Sequence, residues 1–441
     1  MRRAAPLLPI ALALALGGPA MSDDAPLSPA ESDPDRMGWM EGFPPPEDKV
    51  ITGADPSFND FPKLRWTVCH YRELQPTVAV RDGAGAARDL ERAIDPAVGE
   101  VRFTPWGAEA PMTFDEAFDA NYTDGLMVLH RGRVVYERYA GCLDEEGARA
   151  RGIHGAMSVT KSVTGLLAEM LIAEGALDET AAVTDLIPEL EGSAYDGATV
   201  RDVLDMRTAL DYSEDYADPD AEIWAYAQAI DGLPAPEGYD GPRGAYAYLP
   251  TLTAAGAPGG AFDYQTPNAD VAGWLVQRAA GEPLEELLSQ RVWAPLGATR
   301  EGYYIVDSLG IASAGGGFNA ALEDMARLGQ LMLDGGMAGG TRIVPAEAVE
   351  RIAGGGDRAA FEQSHYDDLE GWSYRSLWWH TDTDAYAARG VHGQTIYVDP
   401  DAEMVIVRFA SHPVAANSAN DPTSLPAYAA VADYLRTKDA D

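Results

Sequence analysis

Ser158-Val159-Thr160-Lys161 is the tetrapeptide with the clearest capacity for chemistry in this chain. Residues three apart at the start of a helix share a face, so the Lys161 amine can meet the Ser158 hydroxyl. A serine hydroxyl is a poor nucleophile until a neighbour takes its proton. A lysine can do so only when burial or other positive charge lowers its pKa. The helix N-terminus adds free backbone N–H groups that face developing negative charge. Taken alone, the tetrapeptide also fits an N-cap serine followed by a surface lysine, and its weight comes from its surroundings.

Two further segments supply matching parts. Phe262-Asp263-Tyr264-Gln265-Thr266-Pro267-Asn268-Ala269-Asp270 precedes an amphipathic run. It sets Tyr264 in a polar loop at a helix start, where a phenol can point into a cleft. Gly390-Val391-His392-Gly393-Gln394 opens a strand. A glycine at a strand edge lets a ligand approach the backbone, and the N–H that follows can serve as an oxyanion donor. The plainer alternatives are a packed loop tyrosine, one of 20 in the chain, and a strand-end histidine bonded to backbone. No Gly-x-Ser-x-Gly elbow occurs, which argues against an α/β-hydrolase scaffold.

The elements around these segments follow from periodicity. Residues 125–130 and 134–139 are apolar and β-branched runs about an Arg131-Gly132-Arg133 turn, a hairpin pattern. Val159, Val163, Leu166, Leu167, Met170 and Leu171 recur at helical spacing behind Ser158, with Gly175 as the stop. Helical periodicity returns over 269–280 and 322–332, and 427–436 is a final helix. Residues 377–380, 394–398 and 404–409 read as strands, the last two joined through Asp399-Pro400-Asp401. Strands at both ends with helices between predict an α+β fold: one antiparallel sheet built from the two chain ends and flanked by helices, plus a mostly helical insert. The boundaries read as an extended arm over 21–60, a sheet unit over 61–155 and 300–441, and a helical unit over 156–299 carrying the Ser-x-x-Lys helix. Residues 211–260 are acidic, aromatic and rich in Gly and Pro, too long for a passive connection, and predict a lid or substrate-facing excursion.

The bulk composition narrows the partners. The chain holds 70 Asp and Glu against 32 Lys and Arg, a net charge of -38. That field repels phosphate-rich partners, so no nucleic acid is expected. Residues 1–20 join a basic Met1-Arg2-Arg3 start, an apolar stretch and small residues at Gly17-Gly18-Pro19-Ala20, the pattern of a secretory signal. The apolar stretch is shorter than the about 20 residues a membrane span needs. The reading is an exported protein, periplasmic or secreted, with no membrane span. Cys69 and Cys142 can pair in an oxidising compartment or remain separate buried thiols. Neither Cys-x-x-Cys nor His-Glu-x-x-His occurs, and the seven histidines show no ligand spacing, so no metal and no cofactor are expected.

In this order, the three chemical segments resemble the serine β-lactamase and penicillin-binding protein superfamily. The resemblance is closer to its class C-like branch, with 6-aminohexanoate-dimer hydrolase and related esterases. It runs from about residue 60 to the end and includes Ser158 through Ser162, Asp211 through Tyr216, Tyr264 through Asn268, Ala314 through Phe318, Asp324 through Arg327, and His392-Gly393-Gln394. It implies a β-lactamase/transpeptidase-like fold, with Ser158 as the acylated serine, Lys161 as its helix partner and Tyr264 as the proton-exchanging tyrosine. Tyr216 falls at a substrate-side tyrosine, and the N–H groups of Ser158 and about Gln394 would form the oxyanion hole. Two departures stand out. Thr266 replaces the asparagine of Tyr-x-Asn, with Asn268 two residues on. His392-Gly393 replaces Lys-Thr-Gly, which removes the lysine that holds a β-lactam carboxylate. The resemblance therefore implies a small-molecule ester or linear amide substrate, with a β-lactamase, a D-alanyl-D-alanine carboxypeptidase and a catalytically silent binding protein as rivals.

Overall fold

The computed structural model describes residues 25–83, 87–144 and 151–438. The predicted export signal, residues 1–20, lies outside them. Along the chain come β1 (Thr77–Val80), α1 (Phe114–Ala120), β2 (Thr123–His130), β3 (Arg133–Tyr139), β4 (Ile153–Gly155) and α2 (Val159–Ala173). They are followed by α3 (Thr266–Ala280), β5 (Gly302–Ile305), β6 (Phe318–Ala321) and α4 (Leu322–Leu333). The C-terminal part adds β7 (Ser373–Arg375), β8 (Trp378–His380), β9 (Tyr386–Gly390), β10 (Gln394–Asp399), β11 (Met404–Ala410) and α5 (Asp421–Lys438).

Seven strands form one antiparallel sheet in the order β7-β8-β9-β10-β11-β2-β3. The N-terminal hairpin closes against the C-terminal strands, with Ile406 opposite Val128 and Val405 opposite Leu129. Both chain ends thus build the sheet, as the pattern predicts. Side chains alternate between its faces. Met127, Leu129, Ile396, Val405 and Val407 join the core beneath α2 and α4. Leu126, Val128, Tyr397, Met404 and Ile406 join a second core with Phe114, Phe118, Tyr428 and Val431 of α1 and α5. With helices on both faces, the strands read as continuous apolar runs. Gly329 of α4 permits the close approach: a Cβ there would lie 2.5 Å from Val405 Cγ1.

A smaller antiparallel sheet, β1-β5-β6-β4, lies outside the predicted elements. Its strands are three or four residues long, too short for periodicity to register. It carries β4 to the head of α2. The Ser158 helix itself is buried over most of its length. Its Glu169 carboxylate accepts from Arg201 at 2.8 Å and Arg351 at 2.7 Å, tying α2 to its neighbours. Residues 25–60 run over the body in turns and short helices. Tyr122 donates to the Leu27 carbonyl at 2.8 Å and Arg65 to the Pro29 carbonyl at 2.7 Å. The 211–260 segment is not a plain loop: it carries the helix Glu222–Ala229.

Candidate active site

The chain leaves β4 and turns sharply at Met157, whose φ of +47° lies in the left-handed region. That turn sets Ser158 at the cap position of α2, largely buried but open to a cleft. Lys161, one turn on, donates to Ser158 Oγ at 2.9 Å and to the Gly315 carbonyl at 2.7 Å. Lys161 is almost completely buried. Desolvation pushes its amine down to about 8, with the Glu214 and Asp270 carboxylates pulling the other way. An amine at that value is partly neutral near neutral pH and can take a proton from the serine.

Tyr264 precedes α3 by two residues. Its ring stacks on Trp379 at 5.4 Å and meets Tyr374 edge-on at 6.2 Å. The Lys161 nitrogen lies 5.1 Å from the centre of the ring. Burial and then the Glu214 charge push the phenol well above its ordinary value, opposed by a hydrogen bond with Ser158. The phenol is therefore protonated at working pH and available to donate.

Two carboxylates hold this arrangement. Glu214 accepts from Tyr216 Oη at 2.7 Å, from Thr266 Oγ1 at 2.7 Å and from the Thr266 N–H. It thereby ties the 211–260 segment to the start of α3. Asp270, on α3, accepts from Tyr226 Oη at 2.7 Å, the Ala314 N–H at 2.8 Å and the Gly315 N–H at 3.2 Å. Burial pushes its carboxyl up to about 6.

The cleft encloses about 830 Å³. Tyr216, Tyr366 and Trp379 give it an aromatic wall, and Asp215, Asp367 and Asp368 also line it. Arg389 lines it as well, with its guanidinium hydrogen-bonded to Asp421 and 5.2 Å from the centre of the Trp379 ring.

Ser158, Lys161, Tyr264 and Tyr216 come together around the cleft. The other sequence-predicted residues do not. Gln394 is fully buried and pairs with Gly390 across the β9–β10 hairpin. Its side chain donates to the Ala410 carbonyl at 2.6 Å and the Val391 carbonyl at 3.1 Å, bracing the hairpin, and the residue does not line the cleft. His392, at φ +61°, donates from Nδ1 to the His412 carbonyl at 2.7 Å, and burial pushes its ring down to about 4. Gly393 packs beneath Arg408, whose Nε donates to its carbonyl at 2.8 Å. Thr266 faces Glu214, and Asn268 is buried against Thr208, whose hydroxyl donates to Asn268 Oδ1 at 2.8 Å.

In place of 392–394, the residues at the cleft are Gly390 and Val391. A Cβ on Gly390 would lie 2.9 Å from the Ser158 nitrogen. Sequence reasoning had this glycine in view but chose the later Gly of the same pentapeptide. It missed Glu214 and Asp270; Glu214 stands within the Asp211–Tyr216 piece already singled out.

Cys69 and Cys142 form a disulfide with a Cα–Cα distance of 6.2 Å, which settles their pairing. Among the described residues, one group of three potential metal ligands occurs, Cys69, Cys142 and His154, and its two sulfurs are joined in that disulfide. Among the described residues, no helix is long and apolar enough to cross a membrane.

An antiparallel sheet clasped by helices, with a serine–lysine helix entering beside strand β9, is the frame of a serine acyl-transfer enzyme. The Beta-lactamase family profile matches residues 114–429, and the chain belongs to that family. It is 35% identical over 362 residues to the 6-aminohexanoate-dimer hydrolase of Paenarthrobacter ureafaciens, covering 81% of this chain and 88% of the relative. It is 27% identical over 231 residues to esterase EstB of Burkholderia gladioli, covering 51% of this chain and 53% of the esterase. A solved structure from Bacillus anthracis, described as a 6-aminohexanoate-dimer hydrolase, superposes with a TM-score of 0.76 at 28% identity. It covers 89% of this chain and 99% of its own.

Proposed function

We propose that the protein is a serine hydrolase that cleaves linear amides or esters through an acyl-enzyme on Ser158. The observation that carries this reading is the buried Lys161 amine 2.9 Å from Ser158 Oγ. Lys161 takes the hydroxyl proton as Ser158 attacks the carbonyl carbon. The carbonyl oxygen becomes an oxyanion, held by the backbone N–H groups of Ser158 and Val391. The protonated Tyr264 phenol gives its proton to the leaving amine or alcohol and is reprotonated from Lys161. Water then attacks the acyl-enzyme by the same proton route in reverse and restores Ser158.

The open cleft and its aromatic wall suit an extended acyl chain. Arg389, the cation on that wall, is already engaged by Asp421, which leaves a β-lactam carboxylate poorly served. In this reading residues 1–20 are an export signal, and the Cys69–Cys142 disulfide supports an oxidising compartment. The chain divides into a sheet unit (61–155 and 300–441) and a helical unit (156–299), with the cleft lined from both.

The test compares the protein with its Ser158→Ala variant on a short-chain p-nitrophenyl ester, a linear 6-aminohexanoate dimer and a chromogenic cephalosporin. Ester or dimer turnover that vanishes in the variant is expected. Cephalosporin turnover alone would transfer the protein to the β-lactamase reading, and equal rates in both proteins would remove Ser158 as nucleophile.

A further inference from the structure

Lys161 faces an acceptor that is itself held from behind. The Gly315 carbonyl takes one of its N–H groups at 2.7 Å. The N–H of the same residue and that of Ala314 both end on one Asp270 oxygen, at 3.2 and 2.8 Å. The second Asp270 oxygen takes the Tyr226 hydroxyl at 2.7 Å. Gly315 is confined on that side, since a Cβ there would lie 2.9 Å from Asp270 Oδ2 and 2.8 Å from Thr266 Cγ2. Asp270 belongs to α3, the helix that Tyr264 precedes. One carboxylate thus joins the helix of the tyrosine to the turn that carries the lysine's acceptor. Such a buried charge needs its own justification, because burying an unpaired carboxylate is costly.

We infer that Asp270 is a positioning residue of the acyl-transfer site. It clamps the Ala314–Gly315 peptide so that the Gly315 carbonyl directs Lys161 at Ser158, and its negative charge sets how readily Lys161 gives up its proton. The inference rests on the reading of Ser158 and Lys161 given above.

Lys161 is the cation that acts on Asp270, and Tyr226, Tyr195, Tyr212 and Tyr246 are the phenols whose titration its charge opposes. Lys161 in turn is acted on by Glu214 and Asp270. Both carboxylates favour its charged form, which is the wrong form for a base. Asp270 therefore limits how far burial can lower the lysine, and its removal moves the lysine further toward neutrality.

Asp270→Asn separates the clamp from the charge. The amide oxygen can still accept from Ala314 and Gly315, and the amide nitrogen can donate to Tyr226 Oη. Asp270→Ala removes both. In Asp270→Asn the pH at which kcat/KM is half its plateau moves down by about one unit, as loss of one nearby charge requires. In Asp270→Ala kcat falls about 100-fold with KM within about threefold, the size expected when a catalytic group is misplaced by about 1 Å. Circular dichroism and melting curves of both variants count folded protein.

A pH midpoint unchanged in a folded Asp270→Asn, or a folded Asp270→Ala with undiminished kcat, would overturn the inference. Should neither variant fold, a double-label readout replaces them. The Lys161 titration is followed by nitrogen NMR in Tyr226→Phe, where loss of the hydroxyl favours the neutral carboxyl and must move the lysine midpoint down; no movement overturns the proposal. Ser158→Ala, run in parallel, separates the two readings. If it stays active the site assignment fails, and if it is dead while the midpoint of Asp270→Asn stands still or Asp270→Ala keeps its kcat, only the role given to Asp270 fails.

Discussion

Gly390 lies against Ser158 so closely that a Cβ at position 390 would sit 2.9 Å from the Ser158 nitrogen and 3.0 Å from the Ala156 carbonyl oxygen. The constraint is space and not dihedral angle, since the φ of Gly390 is -139°, which any residue adopts. Backbone on both sides cannot yield as a flexible side chain would. Gly390→Ala must therefore push β9 away from the head of α2, and with it the Val391 N–H. Loss of one oxyanion donor costs about 100- to 1000-fold in kcat. Steady-state kinetics on the preferred ester or amide should show that loss with KM much less affected. A Gly390→Ala enzyme at full kcat would place the oxyanion hole elsewhere.

The buried amine sets a pH dependence with a definite sign. Desolvation lowers Lys161 to about 8, and its neutral form is the base. Activity is therefore absent well below that pH and rises as pH passes through it. Tyr264 is pushed far above its ordinary value, so it does not bring activity down again in the mildly alkaline range. A profile of kcat/KM should show one ascending limb centred near 8. Lys161→Arg, which stays protonated, should lose about 100- to 10,000-fold. A profile flat from pH 6 to 9 would rule out lysine as the base.

How much of this was legible in the sequence depends on whether a residue acts through its local element or through distant packing. Ser158 and Lys161 share one helical turn, so their meeting follows from helix geometry alone. Tyr264 was legible because it stands just before a well-marked helix. Thr266 and Asn268 were carried along by resemblance, but α3 starts at Thr266 and its turn sends them toward Glu214 and Thr208. The pentapeptide Gly390 to Gln394 holds two glycines, and local sequence cannot say which one abuts Ser158. The β9–β10 register decides it, by pairing Gly390 with Gln394 and burying the latter. Asp270 closes the Phe262–Asp270 segment, but nothing in the local sequence gives it a role of its own. Its importance comes from Ala314 and Gly315, more than forty residues on.

Tyr264→Phe isolates the proton-donating step. The ring packs on Trp379 and Tyr374, contacts that phenylalanine keeps. What it loses is the hydroxyl beside Ser158. The melting temperature should stay close to that of the parent while kcat falls about 100- to 10,000-fold. The loss should be smaller for p-nitrophenyl esters, whose leaving group needs no proton, than for amides. Equal losses on both substrates would mean that the phenol serves the attack on the carbonyl and not the departure of the leaving group.

The Cys69–Cys142 bond closes a loop with a sequence separation of 73 residues, and it joins the segment after residues 64–67 to the turn that follows β3. Neither sulfur lines the cleft. Cross-linking a loop of that length restricts the unfolded chain enough to contribute about 4 kcal/mol. The Arg65–Asp124 ion pair, 3.1 Å apart and fully buried, lies beside the same junction. Gly141, next to Cys142, packs on it: a Cβ there would lie 2.3 Å from Asp124 Oδ1. A Cys69→Ala, Cys142→Ala double variant should therefore melt several degrees lower and unfold at lower denaturant. Its kcat/KM and its pH midpoint near 8 should match the parent at temperatures where both are folded. A shifted midpoint would show instead that the disulfide helps to place β4, and through it Ser158.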